Sequence, residues 1–313
     1  MEPDLRFFKG KKILITGGGG YLGSKLAEAI YKLDIKLSLL DISFNDLSEK
    51  LIANNSNIKQ YHVDITDNSG LNEACEEAEP DIIFHFCALL NRERDFNYFD
   101  KLYDVNVQGT LNLLESLRSI DYKGFYYSSS SEVYGTGNPG PFREEQIPFP
   151  ASPYSLTKLI AENLIQTYSE IHQRPYTILR IFNFFGPDMP ENFFLSQLMA
   201  TLKRDEVFEM TGGEQIRDFL PISELIAAIL SISMSGKNNG ETINICSGKA
   251  VKLKELALKI ACKLNKEHLL KIGALPYREN EIWRMVGDNK KVNEFYHSTI
   301  KDHLNGIEDL FIN

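Results

Sequence analysis

The chain has little that would tie it to a membrane, a metal or a nucleic acid. Its four cysteines, Cys75, Cys87, Cys246 and Cys262, stand far apart with no Cys-x-x-Cys spacing, which argues against a zinc site or a disulfide framework and predicts reduced thiols. No apolar run approaches the ~20 residues of a membrane span, and Met1 to Lys12 lacks the apolar core of a signal peptide. A cytoplasmic protein is expected. The net charge of −9 and the lack of a long Lys/Arg run argue against nucleic acid or an anionic membrane as partner, so phosphate ligands would need individually placed cations. No internal repeat or low-complexity tract interrupts the 313 residues, and 43% hydrophobic content suffices for a large core.

From Lys12 to about Arg180, short apolar runs alternate with longer segments of helical period, the pattern of an α/β, Rossmann-type doubly wound parallel sheet. Strands are predicted over 12–16, 36–41, 59–63, 81–87, 124–128 and 176–181, and helices over 21–33, 69–79, 99–117 and 154–172. After Asn183 the regularity fades into helices near 193–203, 223–235 and 253–264 and a strand near 242–245. The economical division is a nucleotide-binding domain over 1–183 and a smaller substrate lobe over 184–313, with the chain free to cross back.

The first strand runs into Thr16-Gly17-Gly18-Gly19-Gly20-Tyr21-Leu22-Gly23. Gly17, Gly20 and Gly23 suit a tight turn, close approach to a pyrophosphate and close helix packing, with Tyr21 and Leu22 opening the helix whose N-terminus would face the phosphates. The spacing differs by one residue from Gly-x-Gly-x-x-Gly. Asp41, 18 residues after Gly23 at the end of the second strand, can accept from ribose hydroxyls and would repel a 2′-phosphate, which favours NAD over NADP. It could also only cap a turn, and Asp64-Ile65 after the third strand carries the same two readings, adenine edge or turn cap. Tyr154 and Lys158 share a helix face four residues apart, where the cation can lower the phenol's pKa for proton transfer. Tyr21 and Lys25 repeat that spacing, so context decides.

The context is Ser128-Ser129-Ser130-Ser131-Glu132-Val133-Tyr134-Gly135 after the fifth strand, ahead of Tyr154. In this order the Gly-rich turn, the strand-end Asp41, the serine run and Tyr-x-x-x-Lys resemble the extended short-chain dehydrogenase/reductases that modify nucleoside-diphosphate sugars. Arg180-Ile181-Phe182-Asn183, Gly186-Pro187, Gly212 to Phe219, Asn244 to Gly248 and Asp288 to Lys291 resemble later signatures of the family. The resemblance implies a tightly retained NAD, Tyr154 as base at the sugar C4 hydroxyl, Lys158 on the nicotinamide ribose, and Ser130 on the reacting oxygen. It also implies Phe86, Ala88, Asn106 and Ser128 near the cofactor, and Ser131, Asn183, Asn192, Arg217 and Arg278 near the substrate.

Other readings remain beside these: a loop hydroxyl for Ser130, a helix bend for Asn106, an Arg217–Asp218 ion pair, and a solvated Arg278. The segment from Leu89 to Asp95, with Arg92, Glu93, Arg94 and Asp95, departs from the family pattern and is expected to border the sugar. His85 is expected in the core. Glu132 matches the carboxylate that takes the C5 proton in dehydratases, or else it is structural; Ser131 stands where many 4,6-dehydratases have an acidic aspartate, so Ser130-Ser131-Glu132 resembles the hydroxyl-Ser-Glu pattern of GDP-mannose-type dehydratases and UDP-glucuronate decarboxylases more than that of the dTDP-glucose enzymes. A 4-epimerase, 4,6-dehydratase or 4-dehydrogenase acting through a 4-keto sugar is expected. A 4-ketoreductase or a non-catalytic dinucleotide sensor is the alternative. The resemblance further implies a homodimer through helices 99–117 and 154–172, and no metal.

Overall fold

The computed structural model describes residues 5–91, 93–136 and 140–298. Arg92 of the charged segment lies outside them.

The first strand, β1 (Lys12–Thr16), is buried along nearly all its length, as a strand covered on both faces must be. It is followed by α1 (Tyr21–Ile30), β2 (Lys36–Asp41), α2 (Asp46–Asn54), β3 (Ile58–His62), α3 (Asn68–Ala78) and β4 (Ile82–His85). The helix α2 was not expected from the sequence. Its start is set by Asn45, whose side chain accepts from the Ser48 amide, but only Ser48 and Leu51 are buried, too few to give an apolar period.

The expected single helix over 99–117 is instead α4 (Phe99–Tyr103), a π turn (Asp104–Gln108) and α5 (Gly109–Ser116). Then come β5 (Gly124–Ser130), a 3₁₀ turn (Ser131–Tyr134), α6 (Pro153–His172) and β6 (Thr177–Ile181). The remaining elements are β7 (Asn183–Phe185), α7 (Phe194–Lys203), β8 (Phe208–Met210), β9 (Ile216–Arg217), β10 (Phe219–Pro221), α8 (Ile222–Met234), β11 (Glu241–Ile245), β12 (Val251–Lys252), α9 (Leu253–Lys263), β13 (Leu270–Ile272) and β14 (Arg284–Met285).

Seven parallel strands form the main sheet in the order β3-β2-β1-β4-β5-β6-β11, with Ile13 opposite Ile82 and Ile15 opposite Phe84. Connections diverge between β1 and β4, which opens a crevice beyond their carboxyl ends. One face packs Leu26 and Ile30 of α1 with Leu225 and Ile229 of α8; the other packs Leu71, Leu113, Ala161 and Ile165. Beyond position 183, β11 joins the same sheet and α8 packs on its face. A smaller core joins Leu195 and Leu198 to Phe208, Leu256 and Ile260 over the crevice.

A buried polar network fastens the last strands of the sheet. Arg180 on β6 pairs with Glu162 on α6 through bonds of 2.7 and 3.0 Å and donates to Tyr134 Oη at 3.0 Å. Tyr134 donates in turn to Asn244 on β11 at 2.7 Å. Both ions of the pair are nearly dry, 6% and 2% exposed, so removing one strands the other. Arg180→Met is therefore expected to lower stability by about 3–5 kcal/mol in chemical denaturation. A loss below about 1 kcal/mol, the value of an exposed pair, would contradict this.

Candidate active site

The loop after β1 is shaped by two glycines. Gly17 has φ +73°, and a Cβ on it would lie 2.6 Å from the Cys87 nitrogen; a Cβ on Gly23 would lie 2.1 Å from the Gly17 oxygen. That second contact forces α1 close against the turn, and α1 starts at Gly20 without a capping side chain, leaving its first amides to a ligand. Asp41 reaches back to this loop, accepting from the Gly19 amide at 3.0 Å and from Ile42 at 2.7 Å. Burial raises its pKa while these amides oppose the rise, so the carboxylate is both placed and partly shielded. Glycine cradle, open helix terminus and strand-end carboxylate together fit a dinucleotide.

Asp64 accepts from the Thr66 amide and hydroxyl at 2.9 and 2.8 Å, the turn-cap alternative, and Ile65 is buried against Gly109. Asn106 lies in the π turn and is also occupied within the chain. Its side chain accepts from the Leu89 amide at 2.7 Å and donates to the Leu89 carbonyl and to Thr157, each at 3.0 Å. It positions the loop after β4 and the start of α6 through its side chain. The extra residue of the π turn turns that side chain to its partners.

Tyr154 is placed by a strong helix start. Ser152 caps α6, accepting from the Ser155 amide at 3.1 Å, and Pro153 takes the first helical position. Tyr154 is half-buried, and Lys158, one turn on, is 2% exposed. The ammonium of Lys158 donates to the Ser128 carbonyl at 2.6 Å and sits 4.7 Å from the centre of the Tyr127 ring. Burial pushes its pKa down to about 8, only partly opposed by Cys87 and Glu162. Cys87 is itself pushed up to about 12, mainly by burial, so no thiolate neutralises the lysine.

His85 is wholly buried and held at both ring nitrogens, Nδ1 to Thr16 at 2.7 Å and Nε2 to Thr110 at 2.9 Å. Thr110 gives its own proton to the Asn106 carbonyl, so Nε2 carries the hydrogen and Thr16 donates to Nδ1. Burial, with Lys158 nearby, lowers the His85 pKa to about 3, as befits the core residue expected from the sequence.

A cavity of about 550 Å³ opens beside Tyr154 and Lys158 and is lined by Leu22, Phe86, Ala88, Ser128, Ser130, Ser131 and Glu132 on the sheet side. Across it stand Asn183, Arg217 and Arg278 from the later chain, with Arg94 from the loop after β4. Ser130 Oγ accepts from the Glu132 amide at 3.1 Å, which leaves its proton for a ligand oxygen. Glu132 accepts from Ser152 at 3.4 Å, and the buried Ser131 hydroxyl contacts Met285 Sδ at 3.1 Å.

Arg217 does not pair with its neighbour Asp218. It bonds Glu281 at 2.9 Å and the Ile282 carbonyl at 2.7 Å, while Asp218 accepts from the Ser247 and Gly248 amides, each at 2.8 Å. Glu281 lies 64 positions from Arg217, and no local signal announces that partner. Asn192 is exposed and lies outside the cavity wall, unlike its neighbour Phe193. Tyr21 and Lys25 hold the loop after β7, through Pro187 at 3.0 Å and Asp188 at 3.5 Å. Their spacing, shared with Tyr154 and Lys158, is structural.

Residues 13–246 match the sequence profile of the NAD dependent epimerase/dehydratase family. The chain belongs to that family. Among its relatives, the UDP-N-acetyl-alpha-D-glucosaminuronate decarboxylase of Bacillus cytotoxicus is 30% identical over 80% of this chain and 79% of its own. A putative UDP-glucose 4-epimerase of Methanocaldococcus jannaschii is also 30% identical, over 89% and 90%. The crystal structure of UDP-glucuronic acid 4-epimerase from Bacillus cereus, with UDP-glucuronic acid and NAD, superposes with a TM-score of 0.85 at 26% identity, covering 96% and 97% of the two chains. This chain is thus an enzyme of an NAD-dependent family whose members named above act on nucleotide sugars. None of the described helices is long and apolar enough to cross a membrane, and the described residues include no metal-binding cluster.

The buried ammonium has a measurable consequence. Its folded pKa near 8 lies below the ordinary 10.5, so Lys158 costs stability fully below pH 8, and the cost fades as pH rises toward 10.5. For the nucleotide-free protein, Lys158→Met should be favoured over wild type by about 2–3 kcal/mol more at pH 7 than at pH 10 in denaturant titrations. A stability difference that does not change with pH would contradict the assignment.

Proposed function

We propose that the protein is a 4-epimerase of nucleoside-diphosphate sugars, a cytoplasmic enzyme that retains NAD and works as a homodimer. The observation that carries this is Ser131. Elimination of water from C5 and C6 needs an acid for the leaving oxygen, and Ser131 is a buried hydroxyl against the Met285 thioether. Epimerisation asks for no such group. It needs only a base, a cation and an oxygen-binding hydroxyl, which Tyr154, Lys158 and Ser130 supply.

Tyr154 would take the C4 hydroxyl proton, with the Lys158 ammonium stabilising the phenolate, and Ser130 would donate to the C4 oxygen throughout. Bound NAD supplies the hydride acceptor, and the donor on return, at C4. Gly17, Gly20, Gly23 and Asp41 would hold its adenosine diphosphate half, and Phe86, Ala88, Ser128 and Lys158 its nicotinamide side. Arg217 and Arg278 would face the substrate diphosphate, since an acidic protein needs placed guanidinium groups for a dianion. The keto sugar would turn within the cavity to offer its other face, after which Tyr154 returns the proton. The homodimer would cover the exposed Phe96 and Tyr103 beside and on α4 and Ile171 on α6. The likeness to the putative UDP-glucose 4-epimerase and to the solved UDP-glucuronic acid 4-epimerase supports this reading.

With a panel of UDP-, GDP-, CDP- and dTDP-sugars followed by NMR, Tyr154→Phe should keep NAD and lose about 10²–10⁴ in kcat. Unchanged turnover would remove Tyr154 from the mechanism. Glu132→Gln should keep epimerisation within about tenfold, whereas loss of a C5 base would cost at least ~10². Such a loss would favour dehydration. A monomeric mass in light scattering would overturn the homodimer.

A further inference from the structure

We propose that Arg94 recognises a carboxylate on C5 of the sugar, so that the enzyme's substrates are nucleoside-diphosphate hexuronates. The inference rests on the reading that C4 meets Tyr154. Arg94 lies in the loop after β4 and lines the same cavity as Tyr154, Ser130 and Glu132. One guanidinium nitrogen donates to the Ala151 carbonyl at 2.6 Å, three residues before Tyr154, which fixes the group at the catalytic end. Its Nε is buried and has no hydrogen-bond partner among the described residues. A guanidinium carries five donors, and a buried one without an acceptor is costly until something binds it.

The neighbouring cation differs. Arg217 pairs with Glu281 at 2.9 Å and bonds the carbonyls of Ile216 and Ile282, while the Glu132 carboxylate is engaged with Ser152. Burial lowers the pKa of Arg217, Glu281 and then Glu132 oppose the fall, and Arg94 adds a smaller repulsion. A ligand anion beside Arg94 would offset that repulsion. On a hexuronate the carboxyl carbon is attached to C5, next to C4, whereas the diphosphate leaves from C1 across the ring. The anion within reach of a group anchored beside Tyr154 is therefore the carboxylate, which arginine can grip with two parallel bonds.

The test uses NAD-loaded Tyr154→Phe protein, so that nothing turns over, and calorimetry with glucuronate and glucose each linked to UDP, dTDP and GDP. The glucuronate should bind about 10- to 100-fold tighter than the glucose partner on the same nucleotide. Adding Arg94→Met should erase that ratio, and Arg94→Lys should keep part of it. Equal affinity for the two sugars overturns the inference and leaves the epimerase reading standing. An Arg94→Met protein that weakens both equally does so too, because Arg94 would then serve the diphosphate or the wall. If Arg94→Met does not fold, the ratio in the Tyr154→Phe background and its change in Arg94→Lys decide. Failure of every sugar on every nucleotide overturns the nucleotide-sugar reading itself, and this inference with it.

Discussion

The site depends on one ammonium held out of water. Lys158 is buried where β5, α6 and the loop after β4 meet, and its near partners are a carbonyl and an aromatic face. A charge in that setting is costly, and the cost appears as a pKa lowered to about 8. The same exposure to low dielectric makes the charge effective, since an unscreened cation acts strongly on a phenol one helical turn away. At neutral pH it remains protonated, so burial strengthens the field on Tyr154 without removing its source.

The surrounding polar chains keep that arrangement fixed. Thr16, His85, Thr110 and Asn106 form a line of hydrogen bonds from β1 to the π turn, and Asn106 continues it to Leu89 and Thr157, the residue before Lys158. On the other side Ser129, Glu162, Arg180, Tyr134 and Asn244 join β5 to α6, β6 and β11. Tyr154 and Lys158 stand between two networks with nearly every member buried. Orientation of the catalytic pair is thus a property of the sheet and its covering helix together.

Much of this was legible because it is local. Gly17, Gly23 and Asp41 stand out by the strand, turn and helix around them, and apolar spacing after Tyr154 announces the helix that carries it. Long-range pairing was not legible: nothing near Glu241–Ile245 says that it joins β6, and nothing near Arg217 points to Glu281. Asn106 shows an intermediate case. Its place in a helical pattern was readable, but its turn toward Leu89 results from a π bulge that apolar spacing does not encode. Asn192 lies at a helix entrance outside the cavity lining, while Phe193 beside it lines the cavity.

In the proposed reading the fate of the oxidised sugar turns on Ser131 and Glu132 rather than on the catalytic pair. On the proposed epimerase reading, a 4-keto sugar in this cavity has its hydride return to C4. A nucleotide sugar carrying deuterium at C4 tests this most directly, with the label located in the product by NMR. Deuterium retained at C4 of the epimer is the expected result. Deuterium transferred to C6 would identify a dehydratase, deuterium lost to released cofactor a dehydrogenase, and either would contradict the account.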